Sequence, residues 1–211
     1  MKLLVATRSA GKAREIRTLF TGLPITLVFP DELALQRLPD EAGLENAATY
    51  AANAIAKARY FARRAAIPTV ADDSGLEVDA LHGEPGVHSA RWGGGRAGGT
   101  GLAEGDVEAR NNALLLERLR GVPEAARTAR YRCVVVHVAT ADSPPSLVEA
   151  TCEGLILEAP RGAGGFGYDP LFWSADLRMT FGEAPEAAKH RVSHRGRAIR
   201  ALIELLLRRA G

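Results

Sequence analysis

The sequence predicts an α/β fold (helices and strands mixed, α+β in character) with an elongated mixed sheet flanked by helices, in two lobes with a cleft between them. Three observations lead there. Short apolar and β-branched runs such as "KLLVAT", "ITLVF" and "IPTVA" read as buried strands. Between them lie stretches whose apolar residues recur at helical spacing. The two kinds are mixed without strict alternation, which argues against a regular Rossmann repeat. A chain of 211 residues can bury a sizeable core within one generous domain, residues 1–211.

Each element has its own reason. "KLLVAT" opens as a buried strand, and "GKAREIRTLFTG" follows as a helix with Ile16, Leu19 and Phe20 turned inward. "ITLVF" is a second strand. Residues from about 45 to 66 form an Ala-rich helix through Tyr50, Ile55 and Ala62, small enough on its surface to pack closely. "IPTVA" is a third strand, and Ser74-Gly75 reads as the turn that closes it. A glycine-laden loop, "GGGRAGGTG", precedes a helix "VEARNNALLLERL" that Asp106 is placed to cap. "TARYRCVVVHVAT" and "SLVEATCEGLILE", joined by "ADSPPS", read as a long antiparallel hairpin. "HRGRAIRALIELLLRRAG" ends the sequence as an amphipathic helix.

Composition narrows the function classes. Hydrophobic residues make up 46% and charged residues 25%, the balance of a soluble globular protein. A net charge of +2 gives no case for bulk nucleic-acid or acidic-membrane binding. Cys133 and Cys152 lack metal-type spacing and read as buried thiols in a reducing compartment. The amino-terminal stretch lacks the apolar run of a signal peptide, and "ALIELLL" is too short to span a bilayer. A cytoplasmic protein is expected.

Four polar stretches carry the chemistry. In "ATRSAGK", a strand runs through a small-residue turn into a helix, whose N–H groups suit an anion; Thr7 and Ser9 add hydroxyls and Lys12 a point charge. In "VADDSGLEVDA", Asp72 and Asp73 stand side by side and read either as a solvated turn or as carboxylates compensated by a cation. Asp40 or Glu41 in "PDEAG", together with this pair, gives the hard oxygen ligands that Mg²⁺ takes. In "GAGGFGYDPLFW", glycines free the backbone around Phe166 and Tyr168, either as a structural loop or to let an aromatic stack on a base. In "KHRVSHRGRA", basic residues gather before the last helix, where cations oppose the macrodipole unless an anion or carbonyl answers them.

Taken in order and nearly end to end, "TRSAGKAREI", "TVADDSGLEVDALHGEPGVHSARWGG", "GGFGYDPLF" and "KHRVSHRGRA" resemble the family of inosine/xanthosine triphosphate pyrophosphatases. The resemblance implies a homodimer with a central nucleotide cleft, and Mg²⁺-dependent hydrolysis of a purine nucleoside triphosphate to the monophosphate and pyrophosphate. It makes Thr7, Arg8, Ser9, Ala10, Gly11 and Lys12 the triphosphate loop. It makes Asp73 the proton acceptor and a metal contact, Ser74 a substrate contact, and Glu41, or Asp40 one position away, the second metal ligand. Phe166, Gly167, Tyr168, Asp169, Lys189, His194 and Arg195 match base-recognition positions. Two positions depart from the family pattern: Ser9 stands for Asn in the first loop, and Ala52 stands for the Glu before Asn53-Ala54.

Overall fold

The computed structural model describes residues 1–94 and 103–210; most of the glycine-laden loop lies outside them. Seven strands form one mixed sheet: β1 (Lys2–Val5), β2 (Thr26–Val28), β3 (Thr69–Val78), β4 (Thr128–Val138), β5 (Ser146–Ile156), β6 (Phe172–Ser174) and β7 (Met179–Thr180). Their order across the sheet is β2-β1-β3-β4-β5-β6-β7. The helices are α1 (Ala10–Leu19), α2 (Tyr50–Ala65), α3 (Glu104–Arg118), α4 (Glu186–Val192) and α5 (His194–Ala210). The first three strands in this order are parallel and β5-β6-β7 antiparallel, so the mixed α/β expectation holds. Neighbours β4 and β5 are joined by residues 139–145, too few for a parallel crossover, as the hairpin reading requires.

The chain divides into two compact units. The first holds residues 1–73, 133–150 and 195–211; the second holds residues 74–132 and 151–194. In the first, Leu3, Val5 and Val70 meet Ile16 of α1, Phe20 just after it, and Ala198, Ile199, Leu202 and Ile203 of α5. In the second, Leu76, Val78, Leu115, Leu119, Tyr131, Tyr168, Phe172 and Phe181 pack together. Both cysteines are fully buried, and burial pushes the Cys133 thiol up to about 12, so it carries no thiolate near neutral pH. Among the described residues no helix is long and apolar enough to cross a membrane.

Four local expectations are corrected. Ser74-Gly75 is not a turn: β3 runs through it, because Leu76 and Val78, both fully buried, extend the strand's apolar register. Helix α2 begins at Tyr50 rather than near 45, where Thr49 caps it by accepting the Ala52 N–H at 3.2 Å. Helix α3 begins at Glu104, so Asp106 lies inside its first turn and favours the helix by charge rather than as the cap. The basic run is split between helices. Lys189, His190 and Arg191 occupy the last turn of α4, where cations complement the dipole, and α5 starts afresh at His194.

Candidate active site

The strand order sets the place. Strand β1 connects to β2 on one side, and the chain then crosses to β3 on the other, which makes β1/β3 a switch point where ligands gather at the carboxyl ends of parallel strands. Ala6 N–H donates to the Val70 carbonyl at 2.8 Å, after which β1 leaves the sheet and β3 runs on beyond it, with β4 as its neighbour on the other side. Beside the overrunning residues Asp72 and Asp73, the chain turns at Thr7–Lys12 into α1. Ser9 caps that helix, accepting the Lys12 N–H at 3.4 Å, and Gly11 is buried in the first turn.

Successive strand residues face opposite sides, and the partners of the two acids follow that rule. Asp72, 3% exposed, meets the Lys12 ammonium at 3.0 Å and the Arg195 guanidinium at 3.2 Å, from α1 and α5. Arg195 also donates to Glu15, another buried carboxylate on α1. Burial alone would raise the Asp72 carboxyl, but Lys12, Arg195 and Lys57 outweigh it and hold the group far below its ordinary value. Burial lowers the Lys12 ammonium against the pull of Asp72, and the Asp72 and Glu15 charges raise Arg195 in spite of its burial. Asp73 faces α2 instead. Its Oδ2 accepts from Asn53 Nδ2 at 2.9 Å, and its Oδ1 lies 3.7 Å from the Lys57 ammonium, beyond hydrogen-bond reach. The neighbouring acids coexist because they point apart, Asp72 to Lys12 and Arg195 and Asp73 to Asn53, with Lys57 near both.

Lys57 belongs to no motif singled out in the sequence, and Asn53 entered only as the neighbour of the Ala52 departure. They sit four residues apart on the buried stripe of α2, among Tyr50, Ala54, Ala58, Phe61 and Ala62. An amide and an ammonium inside an apolar helical stripe are the signal that finds them.

The remaining first-unit candidates serve a neighbouring brace. Arg8 donates to both Glu41 oxygens at 2.8 and 2.9 Å, to Asp31 and to the Leu35 carbonyl, and Arg64 adds a bond to Glu41 at 2.9 Å. Asp40 accepts from the Tyr60 hydroxyl at 2.9 Å. Glu41 and Asp73 share no partner in these contacts.

The second unit assembles the aromatic loop. Gly165 has φ +74°, and a side chain there would drive into the Asp169 carboxylate. That carboxylate accepts from Phe166 N–H at 2.8 Å and from the Lys189 ammonium at 2.6 Å, and Tyr131 adds its hydroxyl at 3.4 Å. Lys189 stands 5.0 Å from the Phe166 ring centroid, within cation–π range. The His194 ring stacks on Tyr131 at 4.6 Å with an interplanar angle of 7°. Tyr131, a strand residue outside the motifs, thus anchors two of the expected base-recognition residues. Asn112 holds the Gly167 carbonyl at 3.0 Å. Tyr168 does not present its ring: it is 3% exposed, its hydroxyl donates to the Ser89 carbonyl at 2.9 Å, and burial pushes the phenol up. Phe166 is left as the half-exposed aromatic of the loop. Arg195, expected with Lys189 and His194, is instead held by Asp72 and Glu15 in the first unit. Ser74 follows Asp73 on β3 and is half-buried.

A family model described as "Ham1 family" matches residues 3–205. The chain belongs to the Ham1 family. It is 44% identical over 207 residues to a dITP/XTP pyrophosphatase of Thioalkalivibrio sulfidiphilus, covering 98% of each chain. It is 46% identical over 204 residues to a dITP/XTP pyrophosphatase of Thermus thermophilus, covering 97% of this chain and 91% of the relative. Among solved structures, a HAM1 protein from Coxiella burnetii superposes with a TM-score of 0.82 at 31% identity over 99% of both chains. This membership accounts for the order of the four motifs.

Proposed function

We propose that this chain is a Mg²⁺-dependent nucleoside triphosphate pyrophosphatase that hydrolyses deaminated purine nucleotides (dITP, ITP and XTP) to the monophosphate and pyrophosphate. The observation that carries the reading is the α1 N-terminus with Lys12 lying beside Asp72 and Asp73 where β3 overruns β1. Relatives named for this activity along nearly the whole chain support the substrate class.

The chemistry follows from the residues. The Thr7–Lys12 loop offers N–H groups and hydroxyls to the polyphosphate, with Arg8 contributing through its backbone because its guanidinium is spent on Glu41 and Asp31. A water oxygen bonds to the α-phosphorus, the bond to the α–β bridging oxygen breaks, and pyrophosphate leaves with the electron pair. The water's proton goes to Asp73. Lys12 and the helix N–H groups stabilise charge that grows on the departing phosphates. Asp73 suits a hard cation, since its Oδ1 meets Lys57 only at 3.7 Å. Glu41, or Asp40 one position away, would supply the second ligand; the Glu41 carboxylate accepts from Arg8 and Arg64. Mg²⁺, when bound, neutralises phosphate charge and acidifies a water.

Lys189 and His194 recognise the base by donating to the carbonyl at purine position 6, with Phe166 stacking on the ring system and Asp169 fixing Lys189. Adenine places an amine there and leaves buried donors unpaired, a mismatch worth on the order of 10⁴ in favourable cases. Ser74 is a substrate contact. The protein acts as a cytoplasmic homodimer with residues 1–211 as one functional domain. Pyrophosphate release from dITP, XTP, dATP and dGTP, with Mg²⁺ and with chelator, tests the reading. Rapid Mg²⁺-dependent release from dITP and XTP supports it, and equal turnover of dATP refutes it.

A further inference from the structure

Phe166 stands between two glycines with left-handed backbone, Gly165 at φ +74° and Gly167 at φ +64°. Glycine enters that region about as readily as its mirror, so the two residues do not by themselves fix which way the ring points. Hydrogen bonds on either side do. Asp169 takes the Phe166 N–H at 2.8 Å. Asn112 of α3 donates from Nδ2 to the Gly167 carbonyl at 3.0 Å, across 55 positions of sequence. Its neighbour Asn111 is buried and donates to the Ser89 carbonyl at 3.2 Å, which also takes the Tyr168 hydroxyl at 2.9 Å. Two consecutive asparagines of one helix thus hold two consecutive residues of the loop, Asn112 directly and Asn111 through Ser89.

Stability does not account for Asn112. The residue is half-buried, and its Oδ1 is buried with no hydrogen-bond partner among the described residues. A polar atom hidden in this way costs at least about as much as one amide bond returns. We propose that Asn112 is a positioning residue for base recognition: by holding the Gly167 carbonyl it keeps the Phe166 ring turned for stacking on the purine. This rests on the reading of Phe166 given above. The Thr7–Lys12 loop belongs to the other unit, so the loss of Asn112 should fall on the base and spare the polyphosphate.

Asn112→Leu keeps the bulk of the side chain and removes the amide. The test compares full-length wild type, Asn112→Leu, Phe166→Ala and the double variant by kinetics with dITP, by inhibition with inorganic tripolyphosphate and by thermal unfolding. Asn112→Leu should melt within about 3 °C of wild type. Its KM for dITP should rise about fivefold, with kcat and tripolyphosphate inhibition changed less than about twofold. The double variant should have the KM of Phe166→Ala, because Asn112 acts through that ring. An unchanged KM in Asn112→Leu overturns the proposal, and so do equal losses for dITP and tripolyphosphate. A double variant about fivefold worse than Phe166→Ala also overturns it, since Asn112 would then act without the ring. If Phe166→Ala itself leaves the KM for dITP unchanged, the stacking reading fails. The crystal structure of Asn112→Leu then decides the role of Asn112: a displaced Phe166 ring supports it, and a ring left in place overturns it. If Asn112→Leu does not fold, Asn112→Ala removes the same bond and is judged by the same outcomes.

Discussion

Replacing Asp72 with Asn tests the claim that the acidic strand is held by buried charge balance. In the folded chain Asp72 and Glu15 answer Lys12 and Arg195, two negative groups against two positive. The Asn variant leaves one carboxylate for two cations, in a place where the Asp72 and Arg195 side chains are 2% and 3% exposed. Removing one partner of a buried pair costs about 3–5 kcal/mol. Lys12 keeps 18% side-chain exposure and recovers some hydration, so the lower half of that range is expected. For a chain of this length each kcal/mol moves Tm by roughly 2–4 °C, giving a fall of about 6–15 °C at pH 7. The pH dependence has a definite sign. The native carboxyl is held well below its ordinary 3.8, so its stabilisation is complete above that value and lost as pH falls towards the native one. The gap between wild type and variant should be flat from pH 8 to pH 5 and should narrow below about pH 4. Thermal unfolding followed by circular dichroism at pH 7 and 3.5 reads both effects. A variant melting within about 3 °C of wild type at pH 7, or a gap that widens in acid, would refute the reasoning.

Other substitutions separate the two ends of the nucleotide. Asp169→Asn removes the partner of Lys189 and Phe166, and should raise KM for dITP by about tenfold while inhibition by inorganic tripolyphosphate changes less than about twofold. Equal losses for both ligands would move Asp169 out of base recognition. Lys12→Met should lower kcat/KM by about 100-fold with the far-ultraviolet spectrum intact, and a loss below about fivefold would remove Lys12 from the phosphate site. Glu41→Gln should lower both Tm, by weakening the Arg8 and Arg64 contacts, and Mn²⁺ affinity by about tenfold. A lower Tm with unchanged Mn²⁺ affinity would leave Glu41 a brace for Arg8 and nothing more.

Local pattern was enough for much of this fold. β1, α1 and α5 lie where apolar spacing puts them, because each buries one continuous stripe. Motif order singled out Thr7–Lys12, which leads into α1, and both Asp169 and Lys189, which the structure joins at 2.6 Å. What the pattern misjudged depended on partners far away in sequence. "DDSG" reads locally as a turn, yet it runs on as strand because Lys12, Arg195, Asn53 and Lys57 compensate its acids from three helices. Tyr168 reads as a loop aromatic open to a base, but Ser89, distant in sequence, takes its hydroxyl and the second core takes its ring. Arg195 adjoins His194 in sequence, but Asp72 and Glu15 fix its guanidinium in the first unit. Asn53 and Lys57 were present all along as polar residues on an Ala-rich stripe.

The most direct measurement is a crystal structure with Mg²⁺ and a non-hydrolysable dITP analogue. Our account predicts a metal ion at about 2.0–2.1 Å from an Asp73 oxygen, with phosphate oxygens on the N–H groups that open α1 and on Lys12. A polyphosphate bound elsewhere, with Asp73 still joined to Asn53 and no metal beside it, would contradict the account.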